Sequence, residues 1–427
     1  MQKTVTETLL GIYDRVLGEK PGEGAREFIG HLSWIGVSFF AAKVVSTLVN
    51  ITAGRVLGPQ EYGKINVMVS AGVILSTFLS AGINLSIVKY GVRGEERDQT
   101  LSTGAAMALT VAACCITLAF LFRTQLSRLF GIDGGMLLLA FLYALSTAAF
   151  LIASGMQQSL GSFRERGISE IFFSLVLAAA FGAGLLLVGR VYLTMAYAYI
   201  AAFGVMAAFW FCRMAAHIKP SLVSRAQFRK MSEYSFYSFG ASRSSCLVFN
   251  VQGLMLNAHL SARDVGVYAA YYTATVGVSG YLAYAATTVL FPKASATTNR
   301  RRLWDIAVRV LMKLSPAAFI FFLLLQTAVL ALMGRDQYGM DPLLMTLFAA
   351  GGTLMLAQSL LGQIIFSESV RASRLSLLMS AGAGLVNFAL CLALIPAAGV
   401  KGVPLAFCLT YVLVMLWLWK AKDSYLE

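Results

Sequence analysis

Four cations in this chain stand where a cation is expensive. Lys43 lies inside "GVSFFAAKVVSTLVNI", Gly36 to Ile51, which is otherwise apolar, small or weakly polar. Arg243, Arg309 and Lys313 sit in comparable surroundings. A Lys or Arg at the centre of a membrane helix costs at least ~2.5–3.5 kcal/mol on insertion scales. Such a residue snorkels to the interface, pairs with an acid, or faces a hydrated cavity. The 20 acids fall almost wholly in termini, loops and span ends, with Glu170 and Glu368 the deepest. No mid-membrane acid is left for Lys43, and the chemistry that remains is attraction of an anion into a cavity between helices. Arg309 precedes Lys313 by one helical turn, so both share a face, and Arg309 is shallow enough to snorkel.

Polar residues accompany two of these cations. Ser46, Thr47 and Asn50 follow Lys43, while Ser244, Ser245, Asn250 and Gln252 follow Arg243. Asn50 and Asn250 each lie two helical turns past their cation, on roughly its face. Amides and hydroxyls suit sugars, and a point charge suits phosphate. The candidate substrate-binding set is therefore Lys43, Arg243, Lys313 and Arg309 as cations, with Thr47, Asn50, Asn250 and Gln252 as polar lining.

The elements that must position these residues are membrane helices. Of 427 residues, 58% are hydrophobic and 13% charged, about half the charge of a soluble domain. Twelve apolar runs are long enough to cross a bilayer: 32–54, 64–88, 102–122, 135–157, 168–189, 191–212, 235–257, 265–290, 306–333, 342–366, 374–397 and 400–419. Continuous runs of this length exclude a β-barrel, whose segments alternate over about ten residues. The fold class is all-α and polytopic. Lys43 would then lie about 16 Å into the first span, and Lys313 about 10 Å into the ninth.

Charge fixes the orientation. With the N-terminus inside and twelve spans, 22 of the 34 Lys and Arg residues fall in inner segments and eight in outer ones. Both termini are then cytoplasmic, and the four residues left over are the intramembrane cations. The net charge of +14 follows from this bias and does not call for nucleic acid. The first thirty residues are polar, lack the apolar core of a cleavable signal, and could form a short surface helix. Six cysteines and three histidines show no CxxC or Cys/His cluster, so neither metal nor cofactor is expected. There is no phosphate-binding P-loop.

The two halves resemble each other. "RVLGPQEYGKI", Arg55 to Ile65, matches "HLSARDVGVY", His259 to Tyr268, with Leu57 on Leu260, Glu61 on Asp264 and Gly63 on Gly266. The expected plan is a cytoplasmic segment 1–31, a six-helix bundle 32–212, a linker 213–234 with the amphipathic "SRAQFRKM" on the membrane surface, a second bundle 235–420, and a tail 421–427. Parallel repeats of this kind are common in transporters, with the substrate site between halves.

"GRVLGPQEYGKINVMVS" and "VNFALCLALIPAAGVKGVPLAFCLTYV", Val386 to Val412, resemble the stretch joining spans one and two, and the C-terminal signature, of Wzx-type polysaccharide flippases. These belong to the multidrug/oligosaccharidyl-lipid/polysaccharide exporter superfamily. Cys391 stands where a second Asn is often found after Asn387. The resemblance implies a V-shaped, alternating-access protein of the bacterial inner membrane. Its cargo would be an undecaprenyl-pyrophosphate-linked oligosaccharide for O-antigen or exopolysaccharide. Its partners would be membrane lipids and polysaccharide polymerase and assembly proteins, and it would act as a monomer. A drug exporter of the same superfamily would want acids in its cavity. A lipid II flippase usually has fourteen spans. A membrane glycosyltransferase or polymerase would need clustered carboxylates, for which Asp336 and Asp341 are the sole location.

Overall fold

The computed structural model describes residues 23–91, 96–161, 163–283, 300–366 and 370–425. The proposed N-terminal surface helix lies outside them. The first half contains α1 (Glu23–Ser80), α2 (Ile83–Gly91), α3 (Arg97–Leu121), α4 (Arg123–Phe130), α5 (Gly134–Ser159), α6 (Phe163–Leu187) and α7 (Tyr192–Met214). Two 3₁₀ turns, Ala215–His217 and Pro220–Leu222, lead to the second half. That half contains α8 (Arg225–Phe249), α9 (Val251–His259), α10 (Ala262–Tyr272), α11 (Arg300–Tyr338), α12 (Pro342–Phe366), α13 (Val370–Ala398) and α14 (Gly402–Tyr425). A π-helical turn, Thr273–Gly277, extends α10 towards residue 283. No strand occurs among the described residues.

The break at Gly58 shapes the first half. Gly58 adopts φ 75° and ψ 168°, a left-handed setting that glycine tolerates and that the following Pro59 favours by disfavouring helix before it. The chain then doubles back. Tyr143 on α5 lies against Gly72 in the second arm of α1. Its ring also meets Tyr199 edge-on at 5.9 Å, and Tyr199 is hydrogen-bonded to Asn50 in the first arm. A straight helix would hold Asn50 and Gly72 about 33 Å apart.

Eight stretches are long and apolar enough to cross a membrane. Two of them, Val37–Ser80 and Leu375–Tyr425, each hold two crossing segments. The consecutive α8 and α9, and α10 with its extension, are not among these eight stretches and count as the remaining pair expected from the sequence. Twelve segments result, six on either side of the 3₁₀ turns. In the first bundle α1 packs on α5 and α6, and both of these on α7. In the second, α12 packs on α11 and α14, and α13 on α14 and α8.

"SRAQFRKM" is not a separate linker helix. Ser224 caps α8, its hydroxyl accepting from the Gln227 amide, and the segment forms the first turns of that helix. Gln227 and Met231 are buried, and Gln227 Nε2 donates to Thr100 Oγ1 at 2.8 Å. That amide crosses to α3 of the first bundle.

Candidate functional site

The bundles meet most closely where the sequence repeat predicts equivalence. The second arm of α1 crosses α10 at Gly63 and Gly266. A Cβ on Gly63 would overlap the Ala262 carbonyl, and one on Gly266 would overlap the Pro59 carbonyl. The obstructing atoms are backbone, so no rotamer change relieves them. The two glycines paired by sequence therefore oppose each other across the interface. Tyr338 reinforces this end, donating its hydroxyl to the Gly54 carbonyl at 2.7 Å.

Lys43 lies on the first arm of α1, 15 residues before Gly58, and is half-buried. Its ammonium sits 4.5 Å from the centroid of the Tyr281 ring, on the α10 extension of the opposite bundle. Among the described residues no carboxylate lies within ion-pair distance of Lys43. Glu170, the deepest acid in the first half, instead holds Arg166 at 2.8 Å. Arg166 also faces Phe39 and Phe150. The i, i+4 spacing of Arg166 and Glu170 could have revealed this pair. Tyr281 carried no comparable signal among 17 tyrosines.

The polar residues near Lys43 are tied into the first bundle. Ser46 Oγ is 2.9 Å from Ser174 Oγ, and Ser174 also reaches the Ala42 carbonyl. Asn50 donates to the Ser46 carbonyl at 2.8 Å and accepts from Tyr199 at 2.9 Å. Each amide atom of Asn50 retains capacity for one more partner. Thr47 is half-buried one turn beyond Lys43.

The second half departs from the expected symmetry. Arg243 is on α8, but its side chain lies outside the described residues, as does Glu368. Asn250 is half-buried at the interruption between α8 and α9, with φ −123°. Gln252 is a correction: it does not line a cavity but is 2% exposed within the second bundle. Its Nε2 donates to the Leu247 and Val248 carbonyls and to Asn387 Oδ1 at 2.7 Å. Asn387 in turn donates to Thr410 Oγ1 at 3.2 Å. An interrupted helix in an apolar setting leaves carbonyls that a side-chain amide can satisfy.

Arg309 and Lys313 are the other two expected cations. Both are exposed on α11, and Arg309 Nε bonds only its own helix, at the Asp305 carbonyl. α11 breaks at Gly334, with φ 114°, and residues 300–333 before the break span about 51 Å, well beyond the hydrocarbon thickness. The uncharged stretch 314–333 spans about 30 Å by itself, and both cations lie on its N-terminal side. Asp341 also has a structural occupation. It caps α12 by accepting from the Leu343 and Leu344 amides and pairs with Lys401 at 2.7 Å.

Residues 31–298 match the family described as "Polysaccharide biosynthesis protein". The chain belongs to this family. Among solved structures, this polysaccharide biosynthesis family member is similar to the lipid II flippase MurJ in an inward closed conformation. The TM-score is 0.69 at 16% identity, over 91% of this chain and 87% of that one. It is also similar to a multidrug resistance MATE family transporter of the MOP superfamily. The inward-facing form gives a TM-score of 0.67 at 15% identity, over 91% and 98% of the chains. The outward-facing form gives 0.55 at 16% identity, over 93% and 96%. No curated protein sequence matches the chain significantly. The family is thus one of polysaccharide biosynthesis, and the fold is that of flippases and transporters.

Proposed function

We propose that this protein is a flippase. It moves an undecaprenyl-pyrophosphate-linked oligosaccharide from the cytoplasmic to the outer leaflet of the bacterial inner membrane by alternating access, for O-antigen or exopolysaccharide synthesis. The observation that carries this is Lys43: a half-buried cation at the interface between bundles, facing the opposite bundle with no carboxylate beside it among the described residues, in a member of a polysaccharide biosynthesis family. Its counterion would be the pyrophosphate or an acidic sugar, while the prenyl tail stays in lipid. Arg243 would contribute from the second bundle, and Thr47, Asn50 and Asn250 would offer hydrogen bonds to sugar. Both termini would be cytoplasmic, the glycine crossing would lie at the outer end, and the protein would act as a monomer beside polymerase and assembly proteins.

The fold is shared with multidrug transporters and with a lipid II flippase. A cationic drug would meet repulsion at Lys43, which favours an anionic cargo, and the twelve segments favour an oligosaccharide carrier over lipid II. The test replaces Lys43 and Arg243 singly with Ala and with Glu, and measures surface polysaccharide and membrane abundance together. Lys43→Glu should abolish export at normal abundance. Normal export from that variant would overturn the anionic-cargo assignment.

A further inference from the structure

We infer that Tyr281 is a cargo-sensing residue: its ring holds the Lys43 ammonium across the interface between the bundles, and an incoming phosphate-bearing lipid displaces it. The inference rests on the anionic-cargo function proposed above.

The two side chains come from opposite bundles. Lys43 is 15 residues before Gly58, and Tyr281 is 15 residues past Gly266. Each is about 22 Å along its helix from the glycine end. Their contact, at 4.5 Å, therefore joins the bundles at a level remote from the Gly63–Gly266 crossing. It can break while that crossing stays closed, which is what opening at one end of an alternating-access protein demands.

The chemistry suits exchange. A ring face attracts an ammonium through its quadrupole alone. A pyrophosphate esterified at both ends carries two full charges and several acceptor oxygens, so it outcompetes the ring for the same ammonium. Tyr281 is 42% exposed, leaving room for it to move aside. It also follows the π-helical turn Thr273–Gly277, a local distortion frequent at functional sites. Among the described residues, Lys43 has no carboxylate that would hold it more firmly. The interface thus starts with a cation that is sheltered and not neutralised, and cargo binding removes a bond between the bundles as it forms its own.

The test uses the full-length protein in nanodiscs and farnesyl pyrophosphate as the probe. Affinity is measured for wild type, Tyr281→Phe, Tyr281→Leu, Tyr281→Trp and Lys43→Gln, with melting temperature as a control. Tyr281→Phe should bind as wild type, since the ring remains. Tyr281→Leu removes the competitor and should bind about two- to thirtyfold more tightly, the span expected of a cation–π contact. Tyr281→Trp, whose ring holds cations best, should bind more weakly than wild type. If Tyr281→Leu does not fold, the order of Trp against Phe decides. Combining Lys43→Gln with Tyr281→Leu should abolish the gain. Equal affinities across the Tyr281 series, with Lys43→Gln still weakened, would overturn the role of Tyr281 alone. Undiminished binding by Lys43→Gln would overturn the anionic-cargo function itself.

Discussion

The bundles touch at two levels built from different materials. At Gly63 and Gly266 the contact is backbone against backbone. It is steric, insensitive to charge, and admits no side chain. At Lys43 and Tyr281 the contact is an ammonium over a ring, weak and replaceable by a better partner. One level separates only as a rigid body, whereas the other can be released by a ligand. A protein that must open one end at a time can use this asymmetry, with a tight crossing at one end and an exchangeable contact nearer the other.

The largest effect should come from breaking the steric level. Gly63→Leu or Gly266→Leu cannot be accommodated by side-chain rearrangement, because carbonyl oxygens occupy the space. Spin labels placed on the Gly58 loop and on the loop before Ala262 should separate measurably, and export should be lost. Gly63→Ala, with one methyl, should destabilise by about 1–3 kcal/mol as an overpacked contact, read as a fall in melting temperature. An unchanged label distance and melting temperature in Gly63→Leu would show that the crossing is loose.

Next in size is the polar network inside the second bundle. Asn387→Leu removes the acceptor for Gln252 and the donor to Thr410. It should cost about 1–3 kcal/mol, the sum of two lost hydrogen bonds at about 0.5–1.5 kcal/mol each, again as a lower melting temperature. Gln252→Leu should lower stability similarly. If instead Gln252→Leu weakened probe binding at unchanged stability, the residue would face the interface after all, and the two halves would be more alike than the structure makes them.

The smallest effects belong to the helix cap near the Gly58 end. The hydrogen bond from Lys401 holds the Asp341 carboxyl below the usual carboxylate range, against a smaller upward push from burial and with help from the Leu344 amide. A lowered folded-state pKa means that the ionised form is favoured by folding. The contribution is complete above the unfolded carboxylate pKa and is lost as pH falls through the lowered folded value. Asp341→Asn keeps an N-cap acceptor and removes only a part-exposed ion pair, so its melting temperature at pH 7 should barely change. Asp341→Ala also removes the cap and should cost about 0.5–2 kcal/mol. Equal melting temperatures for Asn and Ala would show that the cap contributes nothing.

The legibility of this protein divides along the same line. The membrane class, the number of crossings, the repeat and Lys43 were all visible in the chain. Each is a one-dimensional signal: a run of apolar residues, a spacing, or a charge with nothing to offset it. The repeat even aligned Gly63 with Gly266, although as equivalent positions and not as partners in contact. Gln252 and Arg309 could not be resolved in that way. Both are polar residues near the end or break of a helix, and composition does not say whether such a residue faces a cavity, a neighbouring helix or the surface. In Gln252 the interruption at Asn250 turned the amide onto carbonyls inside the bundle. In Arg309 the charge stands on the N-terminal side of an uncharged stretch, 314–333, that is long enough to cross by itself.

The sequence by itself therefore determined what the chain is made to span and which cation is unmatched. Hydrophobic run length and charge placement act locally, and the bilayer reads them one segment at a time. Only the tertiary structure decided what Lys43 faces. Tyr281 lies 238 positions away in the chain, and the two meet because Gly58 turns α1 back and the opposed glycines let α1 and α10 approach to backbone contact.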